Sequence, residues 1–344
     1  MPDLSIDRPF LERYLTERLD AGGVTVDELR KYPRGVSRET WFVTCSLPGG
    51  GVRNLVVRRD LAGGSVCPAT LRFEYEVYRR LEATAVPIAP ALWYEDDPEW
   101  LAGGREFYVR DHVEGSWEVP GFTDPAPEFD DLRIEISREH LRKMALIHTC
   151  DWAAAGFAEI MDVPPDPTAC AATAIDRLLG QLEAFQIEPF PVVAEAAGWL
   201  REHAPKTAPR VSLLKGTNGL GEEVLRDGKI VAMSDWELSS LGDPASDFAH
   251  MQDFMPTVAR RGEVRWSVAQ GLEYYEEVSG LHVDAAAVDY YRILGALEMV
   301  VFAHNAALPL VQGTDHLARL AWVSTEVLYW AKNLLAGAAG VFAA

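Results

Sequence analysis

Strand-like and helix-like patterns occupy different parts of this chain, and that segregation limits its architecture more than any other feature. Residues 24–32, 40–46 and 52–59 alternate in the manner of strands, and Pro48-Gly49-Gly50-Gly51 predicts a hairpin turn between the last two. A helical pattern follows over 68–83, carried by Leu71, Phe73, Tyr75, Val77, Tyr78 and Leu81. Two further strands are expected at 91–94 and 106–113, before Glu114-Gly115 ends the run. Ahead of all these, 9–19 reads as a flanking helix that stops at Ala21-Gly22-Gly23.

Beyond Gly115 the composition shifts to a Pro- and Asp-rich connector over 119–131, then to helical patterns at 136–150, 168–186 and 191–203. A strand pair, 211–214 with 224–233, interrupts them, and everything from Asp247 onward reads as helical. The last helices, 284–307 and 315–336, are expected to bury Trp322, Tyr329 and Trp330 in a bundle. Sheet and helices kept apart in this way make an α+β protein of two lobes, residues 1–115 and 116–344.

With 32 Lys and Arg against 52 Asp and Glu, the net charge of −20 disfavours nucleic acid and anionic membranes as partners. The four cysteines, Cys45, Cys67, Cys150 and Cys170, form no CxxC pair, which fits packing roles in a reducing compartment. The first residues lack the basic start and apolar run of a signal peptide, so a cytoplasmic location is expected. No HExxH, GxSxG or catalytic-cysteine pattern occurs.

The densest chemistry lies between Leu213 and Asp247: the loop Lys215-Gly216-Thr217, the glycines Gly219 and Gly221, the acids Glu222, Asp235 and Glu237, and Gly242-Asp243-Pro244. Here the chain resembles the aminoglycoside phosphotransferase and choline-kinase-like family, whose signature is His-Gly-Asp, four residues, Asn, a hairpin, Asp-Trp or Asp-Phe, then Gly-Asp-Pro. Earlier segments agree. The stretch 35–41 resembles the family's nucleotide loop and includes Ser37, 56–58 its phosphate-contacting strand, Glu74 its helix glutamate, and 107–115 the strand and hinge beside the adenine. His148 lies where the family's Leu-His helix end falls.

The resemblance implies a protein-kinase-like fold, with a small antiparallel-sheet lobe and a mostly helical one. It also implies ATP and Mg²⁺ as cofactors and a small-molecule hydroxyl acceptor. It places Ser37, Arg58, Glu74, Asp111 and Val113 on the nucleotide side and Asp235 at the metal, with Asp247 buttressing the loop. The pattern departs at three points: its histidine falls on Lys215, its proton-accepting aspartate on Thr217 and its metal-binding asparagine on Glu222. Threonine does not accept a proton at neutral pH as a carboxylate does. Glu222 retains metal-binding oxygens, and Lys215 is free to pair with Glu222, Asp235 or a substrate anion. The expectation is an ATP- and Mg²⁺-dependent small-molecule phosphotransferase with an atypical loop. The alternatives are a pseudokinase that binds nucleotide or metabolite, and then a protein partner, or a kinase fold turned to another reaction through Lys215 and Thr217.

Overall fold

The computed structural model describes residues 6–33, 37–61, 67–101, 103–251, 254–314 and 318–340. Gly35 and Val36 of the expected nucleotide loop lie outside the described residues.

Helix α1 (Arg8–Arg18) starts where Asp7 accepts the Phe10 N–H at 2.9 Å, and it lays Leu11, Tyr14 and Leu15 on the sheet. Strands β1 (Thr25–Lys31), β2 (Arg38–Ser46), β3 (Val52–Asp60), β4 (Ala91–Glu95) and β5 (Phe107–Asp111) form one antiparallel sheet in the order β1-β2-β3-β5-β4. One sheet face carries Leu55 and Val57 toward α1, where Tyr14 packs edge-on to Phe107 with ring centroids 5.1 Å apart. The other carries Val56 and Arg58 toward α2 (Leu71–Leu81) and the second lobe. Thr70 caps α2 by accepting the Phe73 N–H, and Leu71, Glu74, Val77, Tyr78 and Leu81 recur at helical spacing on its buried side.

The connector after β5 is fixed at once to the second lobe: Ser116 and Leu225 exchange two backbone hydrogen bonds of 2.8 Å. Gly115, at φ +158°, lies so close to the second lobe that a Cβ there would fall 2.6 Å from the Leu225 carbonyl oxygen. Helices α3 (Asp130–Thr149), α4 (Cys170–Phe185) and α5 (Pro191–Glu202) precede the short strand β6 (Ser212–Leu214). The pairing around β6 differs from expectation. It pairs with β9 (Ser240–Gly242), while the stretch expected as its partner is itself a hairpin of β7 (Glu223–Arg226) and β8 (Lys229–Met233). The hairpin turns at Asp227-Gly228, both at positive φ, as a two-residue turn requires.

After α6 (Ala245–Ala249) the chain forms a second unexpected hairpin, β10 (Val258–Arg260) with β11 (Glu263–Trp266), before α7 (Val268–Ser279), α8 (Ala285–Gln312), α9 (Ala318–Trp322), a π-helical turn (Val323–Val327) and α10 (Leu328–Ala338). By length and composition α8 is apolar enough to cross a membrane, yet half of its most apolar stretch is buried inside the fold, where α4, α6 and α10 pack on it. Trp322, Tyr329 and Trp330, expected in the core, are 58%, 67% and 54% exposed. Ala331 and Leu335 of α10 face inward in their place.

Candidate functional site

Two arginines of the sheet lobe meet acids from both lobes. Arg58 Nη1 donates to Glu74 Oε1 at 2.7 Å, tying β3 to α2. Arg38, the first residue of β2 and 1% exposed, lies 3.1 Å from Glu74 Oε2, donates to Glu237 Oε2 at 3.1 Å and to Asp60 Oδ1 at 2.6 Å, and binds the Ala69 carbonyl. Glu237 belongs to the second lobe, so Arg38 joins the lobes in the interior. Burial, and then the nearby negative charge of Asp235, push the Glu237 carboxyl up to about 7 against the pull of Arg38.

The loop after β6 is held by one carboxylate. Asp247 on α6 accepts from the Lys215 and Gly216 N–H groups at 2.8 Å each, from Asn218 Nδ2 at 3.3 Å, and faces His148 Nε2 at 2.9 Å. Tyr275 OH lies 2.7 Å from His148 Nδ1, so a Nε2–H imidazole satisfies all three groups at once. Burial opposes ionisation of Asp247, but the hydrogen bond and charge of His148 and the two loop N–H groups outweigh it and hold the carboxyl below its ordinary value. Gly216 has φ +85°, and a Cβ there would sit 2.3 Å from the Leu238 carbonyl oxygen.

Inside the loop, the fully buried Lys215 ammonium donates to the Thr217 carbonyl at 2.6 Å, to Thr217 Oγ1 at 3.3 Å and to Glu222 Oε2. Burial works against the charge, but Glu222 and Glu223 more than reverse it, and Lys215 stays protonated. The Thr217 hydroxyl donates to the Asp235 carbonyl at 2.6 Å. Glu222 Oε1 accepts the Gly219 N–H at 2.8 Å. Asp235, at φ +66°, is half-buried, and its carboxylate makes no hydrogen bond or ion pair among the described residues. Both Glu222 oxygens are therefore engaged, and among the described residues no three His, Cys, Asp or Glu converge as a metal cage. With Glu222 paired to the Lys215 ammonium and to Gly219, the Asp235 carboxylate is what this donor set leaves for a divalent cation.

Behind Lys215 lie two titratable groups that sequence reasoning missed. Glu223 Oε1 is 3.5 Å from His140 Nδ1, both fully buried. Burial, followed by the Lys215 charge, depresses His140 to about 3, while burial, opposed by Lys215, raises Glu223 to about 8. The contact thus joins two neutral groups at neutral pH.

Of the residues expected on the nucleotide side, Arg58 and Glu74 are brought together and Ser37 is half-buried at the entrance to β2. Val113 lies in the connector. The Asp111 carboxylate turns to Arg53 at 2.8 Å, on the sheet face opposite Arg58, and its N–H donates to Pro90. On the Arg58 face, Phe42 gathers Trp117, His112 and Tyr32 at centroid distances of 5.2, 5.5 and 6.4 Å beside the connector. The alternation of β2 was the sequence signal for Phe42, since it shares a face with Arg58 through its partner Val56. A small cavity of about 170 Å³ lies there, lined by Arg30, Phe42, Asn54 and His112.

A larger cavity of about 660 Å³ opens beside the loop, with Gly216, Glu237 and Leu238 at one wall, Phe73 of α2 at another, and Leu178, Leu294 and Phe302 from α4 and α8.

Comparison with known proteins places these features in context. The phosphotransferase enzyme family matches residues 28–281. Rat acyl-CoA dehydrogenase family member 11 is 24% identical over 306 residues, covering 84% of this chain and 37% of that protein. The chain thus spans between about a fifth and little more than a third of the length of the curated relatives it matches. Among solved structures, a protein assigned as an aminoglycoside phosphotransferase from Ralstonia eutropha superposes with a TM-score of 0.66 at 21% identity, covering 96% of this chain and 98% of that one. The aminoglycoside phosphotransferase APH(4)-Ia, in a complex with AMP-PNP and hygromycin B, superposes at 0.59 with 15% identity, covering 96% and 97%. Both share the two-lobed fold.

Proposed function

The chain belongs to the phosphotransferase enzyme family, and from that premise we propose that it transfers a phosphoryl group from a nucleotide to the hydroxyl of a small molecule, slowly and without a carboxylate base. The observation that carries this reading is the cavity of about 660 Å³ beside Gly216 and Glu237, large enough for an acceptor. The aromatic group around Phe42 offers a stacking surface for a base on the connector side. Phosphoryl transfer runs through a loose transition state that depends on positioning and charge, so the formed Arg58–Glu74 pair and the Asp247-braced loop serve it without covalent help. Thr217 takes the aspartate's position in this reading. Losing general-base help costs about 10²–10⁴ in rate.

The apolar walls of Leu178, Leu294 and Phe302, taken with the acyl-CoA dehydrogenase names of the longer relatives, favour a hydroxyl carried on an acyl-type body over a polycationic sugar. A second reading, binding without transfer, is favoured by the Thr217 hydroxyl, which donates to the Asp235 carbonyl and faces an ammonium. Calorimetric titration with ADP, followed by ADP-release assays with hydroxyacyl thioesters and aminoglycosides, tests both. Absence of nucleotide binding at millimolar ligand defeats both readings. Binding without turnover, with turnover gained in Thr217→Asp, supports the second.

A further inference from the structure

Most of the acids around the loop are met by donors of the chain itself. Glu74 and Glu237 meet Arg58 and Arg38, Asp247 meets His148 and two N–H groups, and Glu222 meets Lys215. Glu223, behind Lys215, lies 3.5 Å from His140, and the Asp235 carboxylate is left with no hydrogen bond or ion pair among the described residues. Lysine has three donor protons, and Lys215 has three acceptors in reach, Thr217 O, Thr217 Oγ1 and Glu222 Oε2. An ammonium so enclosed cannot be turned aside by rotation of its own side chain without giving up Glu222 Oε2 and both Thr217 oxygens at once. A divalent ion approaching Glu222 would meet its repulsion at close range, in surroundings that screen it poorly. Magnesium demands near-octahedral oxygens and is usually held by one or two carboxylates with several waters.

We propose that the Lys215 ammonium is the resident cation of this loop, seated against Glu222 where a divalent metal would bind, so that the native cleft takes up no such metal and removing the ammonium creates a site from Glu222 and Asp235. A phosphate-bearing ligand that reaches the loop then meets a fixed positive charge supplied by the chain. The inference concerns the metal alone and does not rest on nucleotide binding.

The test is uptake of Mn²⁺ without nucleotide, followed by loss of the free-ion paramagnetic resonance signal. The native protein is expected to leave millimolar Mn²⁺ free. Lys215→Ala is expected to bind one equivalent, with affinity raised by about tenfold or more over the native chain, and Lys215→Ala/Glu222→Gln is expected to lose it again. Mn²⁺ uptake by the native protein that disappears in Asp235→Asn would overturn the proposal, as would a folded Lys215→Ala that binds none. Should Lys215→Ala lack a cooperative melt, the native titration against Asp235→Asn decides alone.

Discussion

One carboxylate, that of Asp247, holds the backbone of Lys215 by accepting its N–H at 2.8 Å, and holds Gly216 through its other oxygen at the same distance. A side chain three residues beyond the proline of the Gly-Asp-Pro turn thereby sets the loop's path, and His148 secures the carboxylate in turn.

Replacing Asp247 with alanine orphans two buried N–H groups and His148. A loss of about 3–5 kcal/mol in unfolding free energy is expected from removing one member of such a buried charged set, read by urea denaturation. The pH dependence has a definite sign. The folded carboxyl lies below its ordinary value, so its stabilisation is complete above the unfolded aspartate range and fades as pH falls through the lower folded value. Native melting temperature should drop steeply in acid, and Asp247→Asn should flatten that drop.

Arg38→Met is expected to cost about 3–5 kcal/mol by leaving Glu74, Glu237 and Asp60 without their shared cation. Because Arg38 spans the lobes, the variant should also admit protease in the connector around Gly115 while each lobe stays folded. Retained resistance there would show that the remaining contacts between the lobes, Ser116 with Leu225, Met233 with Pro87 and Arg80 with Gly156, hold them without Arg38.

Glu223 works in the opposite direction to Asp247. Its carboxyl is raised to about 8, so the stability it confers is present below the unfolded glutamate value and is lost as pH rises toward 8. Glu223→Gln keeps the shape and removes the titration. It should be more stable than the native chain at pH 8.5 by about 4–5 kcal/mol and within about 1 kcal/mol of it at pH 5, by thermal melts at the two values.

Gly216→Ala separates a clash from simple backbone strain. A Cβ would land 2.3 Å from the Leu238 carbonyl oxygen, whereas at Gly228, φ +72°, it would meet nothing within 4 Å. The hairpin variant Gly228→Ala should cost about 1–2 kcal/mol, and Gly216→Ala clearly more, with loss of ligand uptake in the neighbouring cavity.

Much of this was legible in the sequence. Alternation and glycine turns carry the five-strand sheet, and helical spacing sets Glu74 on the buried side of α2, where Arg58 meets it. What escaped depended on partners distant along the chain. The pairing of β6 with β9 joins two three-residue strands across an intervening hairpin, too short for periodicity to report. Nothing local to Arg38 says that its side chain reaches Glu237 on the other lobe. The aromatics Trp322, Tyr329 and Trp330 follow helical spacing, but spacing does not say which side of a helix the bundle covers. His140 and Glu223 escaped because each reads singly as an ordinary surface residue.

The interior bridge from Arg38 to Glu237 also bears on kinetics. Proteins that clamp a guest by hinge bending lose freedom at each capture, and that loss weakens the complex. Under the proposed function, an interior bridge that holds the jaw angle would present a guest with a preset geometry. Its residence time would then depend on how easily it slips out past the side chains at the mouth.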